Sequence, residues 1–368
     1  LFPYTTLFRS TAKPAPHTTY SKADWSALPE VTGVDLQNGF ASWRSACTRL
    51  KADPNWGSLC SAAASLPANP SVAEVSSFLQ THLDVYSLRS AEGSSDGLIT
   101  GYYEPLLRGS RTRTASFAQA VLGVPPDLLT IELADVAPEL KNLRLRGRLQ
   151  GNKVVPYYSR ADITSREKDY ADRVLLWVDD AVELFFLQVQ GSGRVKLPDG
   201  KLVRIGYADQ NGHPYQSIGR VLIDRGELKL EQASMQGIQA WARENPAKLN
   251  DLLNSNPSYV FFREVPAKGN VNEGPQGAFG VPLSPERSIA VDPRHVPLGA
   301  PVFLATTQPN SSVPLRRLMM AQDTGGAIRG VVRADYFWGF GPEPGSQAGR
   351  MKQQGQMWVL LPPGAAPK

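Results

Sequence analysis

The chain has little cysteine, little histidine and no long apolar run, and each shortage closes off a class of protein. Its 368 residues include 2 cysteines and 4 histidines. His17, His82, His213 and His295 stand alone, with no Cys or His partner at zinc-site spacing, so neither a resident metal nor any other cofactor is expected. No apolar stretch approaches the ~18 residues of a membrane-spanning helix. Lys and Arg total 39 against 34 Asp and Glu, a net charge of +5, yet no basic run is as dense as a nucleic-acid arm. No nucleic-acid partner is expected. The basic excess suits a long anionic polymer or an anionic membrane surface, and it equally suits no partner in particular. Glycines with phosphate-loop spacing at a strand-to-helix junction are missing too, as are internal repeats and low-complexity tracts.

What is present points to a β-rich globular enzyme. With 42% hydrophobic residues the chain can bury one large core or two ordinary ones. Gly 32 and Pro 30 punctuate strand-like segments after residue 98. The opening LFPYTTLFRS back-translates without mismatch into a common short-read sequencing adapter, CTCTTTCCCTACACGACGCTCTTCCGATCT. Residues 1–10 are therefore set aside as an assembly artefact. The true start, with any signal peptide or lipid-attachment cysteine, then lies outside this sequence. Residues 11–30, polar and Pro-rich, read as a linker.

Cys47 and Cys60 flank a segment that reads as two short helices joined at Asp53, Pro54 and Asn55. A disulfide pinning that hairpin in an oxidising compartment is the expectation, and two reduced buried cysteines are the alternative. In SVAEVSSFLQTHL, Ser71 and Glu74 form a capping box ahead of a core stripe at Val75, Phe78, Leu79 and Leu83. Strands are expected through LRLRGRLQGNKVVPYY and through RVLLWVDDAVELFFLQVQGSGRVKLPDGKLVRIGYA, with a hairpin turn at Pro198, Asp199 and Gly200. Helical periodicity returns over 217–253, where Met235, Ile238, Trp241 and Ala242 share a face, and strands close the chain.

Three short motifs invite chemistry. Asp323-Thr324-Gly325 resembles one loop of an aspartic protease, but a single-chain enzyme of that kind needs two. QGSGR lacks the glycine two residues before Ser192 that a nucleophile elbow requires, because Gln190 stands there; a polar turn facing a ligand fits better. The remaining pair, Asp323 and Asp335, lies among glycines and aromatics. An acid that donates a proton near neutral pH needs its pKa raised above ~3.9, through burial or a neighbouring carboxylate. Tyr336, Phe337, Trp338 and Phe340 could supply the burial, and flat rings also stack on sugars. An Asp capping a turn beside an aromatic core would look the same.

Five motifs in order are more specific than any of these. TGYYEP at 100–105, VQGSG at 189–193, NGHPYQSIGRVLIDRGEL at 211–228, RSIAVDPRHVPLGAPVF at 287–303 and AQDTGGAIRGVVRADYFWGFGPEPGSQAG from 321 together resemble the membrane-bound lytic transglycosylase A family. The resemblance runs from about residue 30 to 362. It implies a mainly β fold with flanking helices: a double-psi β-barrel from 31–107 plus 259–362, and a smaller β-barrel and helical domain inserted over 108–258. The glycan lies in the groove between them.

The resemblance also implies non-hydrolytic cleavage of the β-1,4 bond between N-acetylmuramic acid and N-acetylglucosamine of peptidoglycan, leaving a 1,6-anhydromuramic end. Asp292, Asp323 and Asp335 match a three-aspartate region, with the catalytic acid on Asp335 and a supporting acid on Asp323. Thr100, Tyr102, Tyr103, Gln190, Ser192, His213 and Trp338 carry over as substrate contacts. The glycan strand is the implied partner, with other cell-wall enzymes, and the implied location is the periplasm at the outer membrane, by a lipid anchor. A muramidase using water and both acids, and a non-catalytic peptidoglycan-binding module, are the competing readings.

Overall fold

A computed structural model of the chain describes residues 19–133, 135–138, 145–266 and 273–366. The adapter-like residues 1–10 and the first part of the expected linker lie outside the described residues. The rest of that linker is not one: β1 (Thr19–Ala23) is a paired strand, and Tyr20, Ala23, Trp25 and Leu28 pack against the main core. Apolar residues at every second or third position outweigh the polar composition that suggested a tether.

Three helices follow. In α1 (Gly33–Leu50), Thr32 caps the first turn by accepting from the Asp35 N–H, and Leu36, Phe40, Trp43, Ala46 and Leu50 are buried at helical spacing. Next come α2 (Gly57–Ala64) and α3 (Val72–His82), and the expected Ser71–Glu74 capping box is present. Cys47 and Cys60 are disulfide-bonded, with their Cα atoms 5.5 Å apart, so α2 folds back onto the end of α1. The segment ends with β2 (Asp84–Arg89) and β3 (Gly97–Glu104).

A second region begins at β4 (Leu106–Ser110) and continues through β5 (Gln119–Leu122), β6 (Leu129–Ile131), β7 (Leu145–Gln150), β8 (Lys153–Pro156) and α4 (Arg160–Ser165). After β9 (Val174–Val178) comes α5 (Ala181–Gln190), where the sequence reading expects strand. Asp180 caps it, accepting from the N–H groups of Val182 and Glu183, and Gly191 ends it in the left-handed region at φ 78°. The helix is apolar on nearly every side because it is wedged between two cores, one holding Leu184 and Leu187, the other Val182 and Phe185. An all-round apolar run has no periodicity to betray it.

Beyond α5 the region runs through β10 (Ser192–Lys196), β11 (Leu202–Gln210), α6 (Ile218–Asp224), α7 (Met235–Glu244), α8 (Leu249–Asn254) and β12 (Val260–Val265). The expected turn at 198–200 joins β10 to β11. These strands form a six-stranded sheet ordered β12-β11-β10-β4-β9-β5, beside a three-stranded β6-β7-β8 sheet. Because β12 pairs with β11, this region reaches residue 265 rather than stopping at 258.

The chain closes with β13 (Ser288–Val291), β14 (Pro301–Thr307), β15 (Pro314–Asp323), β16 (Arg333–Phe340), α9 (Pro342–Arg350) and β17 (Lys352–Leu361). They join the first segment in an eight-stranded sheet ordered β1-β2-β17-β14-β15-β13-β16-β3, in which β17 also pairs with β3. Both ends of the chain thus build one sheet around the largest core.

Candidate active site

On the eight-stranded sheet, Ile289, Val291, Ala334, Tyr336 and Ile99 face the core. Alternation therefore turns Ala290, Asp335 and Thr100 to the other face. The register lines them up: Ala290 on β13 is the partner of Asp323 on β15 and of Asp335 on β16, and Asp335 is the partner of Thr100 on β3. Asp323 reaches this row through a register shift. Ile289 pairs with Ala321 and Ala290 with Asp323, so Gln322 is the extra residue. Without that bulge Gln322 would occupy the row. Instead its buried Oε1 accepts from the Ser288 hydroxyl at 2.5 Å.

Two strand spacings, ~10 Å between backbones, separate Asp323 from Asp335, so they are not a proton-sharing pair of the aspartic-protease kind, whose carboxyls sit ~3 Å apart. Each has its own donors. The Thr100 hydroxyl donates to Asp335 Oδ1 at 2.6 Å. The Tyr102 hydroxyl donates to Asp323 Oδ2 at 3.1 Å, and the Ala278 N–H to its Oδ1 at 2.9 Å. The Ala278 contact needs the loop close in: a Cβ on Gly277 would meet the Gln322 carbonyl oxygen at 2.4 Å.

Burial pushes the Asp335 carboxyl up to about 6. The Thr100 hydrogen bond and the nearby Arg333 charge oppose the rise, and the Asp323 charge adds to it as the smallest cause. Tyr102, whose ring packs on Phe337 at 5.1 Å beside Leu283, Ala290 and Ile328, is raised well above 10 by burial and by the charges of Asp323 and Asp335. It stays a donor. The arrangement offers one acid poised to give and take a proton near pH 6, on an apolar floor, beside a second carboxylate oriented by two donors.

Asp292, the other member of the three-aspartate stretch, does different work. It is fully buried and takes hydrogen bonds from Arg294 Nε at 2.9 Å, Arg294 Nη2 at 2.6 Å and the Gly330 N–H at 2.9 Å. Burial alone would raise it, yet these donors hold it down at about 2.

The remaining expected contacts scatter. Tyr103 points away from Tyr102, its hydroxyl on Met235 Sδ at 3.3 Å. Gln190, the last residue of α5, accepts the Tyr103 N–H at 3.1 Å, and Ser192 opens β10 opposite Gly206. These three mark the junction of the two regions. Trp338 packs on Tyr336 at 4.8 Å and donates to Met351 Sδ at 3.3 Å, which takes its indole to the face opposite Asp335. His213 lies in the second region, its Nε2 2.7 Å from the Tyr157 carbonyl oxygen.

Sequence reasoning missed the clamp across the junction. Glu104 and Arg194, both buried, pair at 2.8 Å, and the Arg194 guanidinium lies 3.8 Å over the Phe340 ring. The signal was a charged residue at the end of an apolar strand, in TGYYEP. Among the described residues no group of three or more His, Cys, Asp or Glu is gathered as for a metal ion, and no helix is long and apolar enough to cross a membrane.

The MltA specific insert domain matches residues 98–263, and the 3D domain matches residues 287–361. Membrane-bound lytic murein transglycosylase A of Escherichia coli K12 is 34% identical over 299 residues, 78% of this chain and 72% of its own length. The chain belongs to the membrane-bound lytic murein transglycosylase A family. Its fold agrees: the crystal structure of MltA from Neisseria gonorrhoeae superposes with a TM-score of 0.81 at 38% identity, covering 95% of this chain and 94% of that one. Escherichia coli MltA with bound chitohexaose superposes with a TM-score of 0.71 at 28% identity, covering 93% and 94%. Of the two matched domains, the 3D domain holds both acids of the row, and the insert match begins just ahead of Thr100 and Tyr102.

Proposed function

We propose that this enzyme cleaves the β-1,4 bond between N-acetylmuramic acid and N-acetylglucosamine of peptidoglycan without water, closing the muramoyl C6 oxygen onto C1. Asp335 carries the reading: a carboxyl held near 6 is protonated often enough to give its proton to the glycosidic oxygen, and as carboxylate it can then take the C6 hydroxyl proton. One group serves both half-steps. Asp323, oriented by Tyr102 and Ala278, positions substrate rather than attacking it.

The pairing of β17 with both β14 and β3 supports reading the strands β17, β14, β15, β13, β16 and β3 as a closed double-psi β-barrel. The six-stranded sheet is then the smaller inserted barrel, with the groove between them above the acid row. Chitohexaose, a chain of β-1,4-linked N-acetylglucosamine seen on the Escherichia coli relative, supports a glycan strand as the occupant. The location we assign is the periplasm, at the outer membrane through a lipid anchor, in company with other cell-wall enzymes.

A hydrolytic muramidase is the second reading, favoured by the presence of two carboxylates in one row with a strand between them, since hydrolytic glycosidases use a pair of acids. Purified sacculi decide whether Asp335 acts at all. Wild type should release anhydromuropeptides, and Asp335→Asn should bind sacculi and release none; release by the variant at more than a tenth of the wild-type rate contradicts the assignment.

A further inference from the structure

The acid row continues beyond Thr100. Its register partner on β17 is the exposed Lys352, so the line runs Asp323, Ala290, Asp335, Thr100, Lys352 from an acidic to a basic end. Direct partners carry their side chains on one face. Arg333 shares that face, two residues from Asp335 on the same strand.

Arg333 is half-buried; burial works against its charge, and the nearby Asp335 carboxylate, when ionised, works for it without an ion-pair contact. Its Nη1 donates to the carbonyls of Ala334 at 2.5 Å and Leu98 at 3.4 Å, which anchors the guanidinium at the strand. Among the described residues no carboxylate is ion-paired with it. Other covered or partly covered arginines near this sheet and at the junction differ: Arg287 and Arg317 share Asp35, and Arg194 holds Glu104. A desolvated guanidinium of this kind is completed by an anion.

The substrate offers one. Each muramoyl residue bears a lactyl group at C3, whose carboxyl is free in a peptide-free strand and amidated to a peptide elsewhere, the peptide ending in its own carboxylate. Two residues along a strand span ~6.7 Å, comparable with the distance from a glycosidic oxygen to a substituent on the same sugar. Resting on the transglycosylase reading above, we infer that Arg333, on the same face as Lys352 at the basic end of the acid row, is an anion subsite that takes a carboxylate of the muramoyl side while Asp335 addresses the glycosidic oxygen. The subsite fixes register. Both linkages in the strand are β-1,4, and the reaction needs the muramoyl C6 hydroxyl on the correct side of the acid; a cation on one flank selects that placement.

The test is binding, in an Asp335→Asn background that halts turnover and removes any influence of Arg333 on the acid. Calorimetry compares chitohexaose, which has no carboxylate, with amidase-stripped glycan and with peptide-bearing glycan. Adding Arg333→Gln should weaken stripped glycan about tenfold, with chitohexaose changed less than twofold. Arg333→Lys should keep most of the difference, and high salt should shrink it. A tenfold loss confined to peptide-bearing glycan assigns the subsite to the peptide carboxylate. Equal losses on all three ligands, or none, overturn the subsite while leaving the transglycosylase reading standing; that reading falls separately if wild type releases no anhydromuropeptides from sacculi.

Discussion

Ala290 and Asp292 are two residues apart, yet the carboxyls on either side of that step meet opposite fates. Next to Ala290, Asp335 takes its hydrogen bond from a neutral hydroxyl, with Arg333 acting through space, and burial carries it to about 6. Asp292 is at least as buried, but a two-pronged Arg294 and the Gly330 N–H hold it at about 2. Burial pushes both upward. The balance between burial and donors decides the outcome, so a deeply desolvated acid with one neutral donor can trade a proton while an acid clamped by a cation is a strut.

The largest expected effects come from removing each acid. Asp335→Asn should cost at least ~10³ in kcat, more than a typical proton transfer, because both half-steps use one group. Asp292→Asn should leave kcat of the folded enzyme within about threefold and lower stability instead, by ~1–3 kcal/mol, as the buried carboxylate that accepts from Arg294 and from the Gly330 N–H gives way to an amide that cannot match all three donors. Steady-state turnover with chemical denaturation separates the two, and equal kinetic loss at both would erase the contrast. Asp323→Asn should cost ~10- to 100-fold, since it loses positioning but not the proton.

Much of this row was legible in the sequence, and the limits are physical. The motif resemblance placed Asp335, Asp323, Thr100 and Tyr102, which the register brings together, and the capping box and hairpin turn followed from local chemistry. Trp338 misled because adjacency in the chain says nothing of which sheet face a ring takes. α5 misled because a helix apolar on nearly every side loses its period. The bulge at Gln322, which swings Asp323 into line, and the Glu104–Arg194 clamp depend on pairings between distant segments that no local pattern encodes.

Smaller effects sharpen the comparison by pH. With Asp335 as sole acid and base, kcat/KM should fall as pH rises through about 6, without a matching acid limb from a second catalytic carboxylate. Thr100→Val removes the donor that favours the charged form and should move that fall upward by about one pH unit. A bell whose acid limb vanishes in Asp323→Asn would point to two working carboxylates.

Stability should follow opposite signs at the two acids. Asp335 is raised from 3.8 to about 6, so its favourable contribution is full below pH 4 and is lost as pH rises through 6. Asp335→Asn should therefore be more stable than wild type at pH 7, by ~1–2 kcal/mol, with no gain at pH 4. Asp292 is lowered from 3.8 to about 2, so its contribution stands above pH 4 and is lost as pH falls through 2. Thermal melts of both variants across pH 2–8 would reveal the crossing.

Whether a single carboxyl suffices is settled most directly by running the digest in ¹⁸O-water and weighing the products. The muramoyl C6 hydroxyl is tethered to the reacting ring and should outcompete solvent, so products should carry no label at C1 and weigh about 18 Da less than hydrolytic muropeptides. ¹⁸O at the muramoyl C1, with a reducing muramic acid as the main end, would mean that water attacks and that Asp323 is a second catalytic acid.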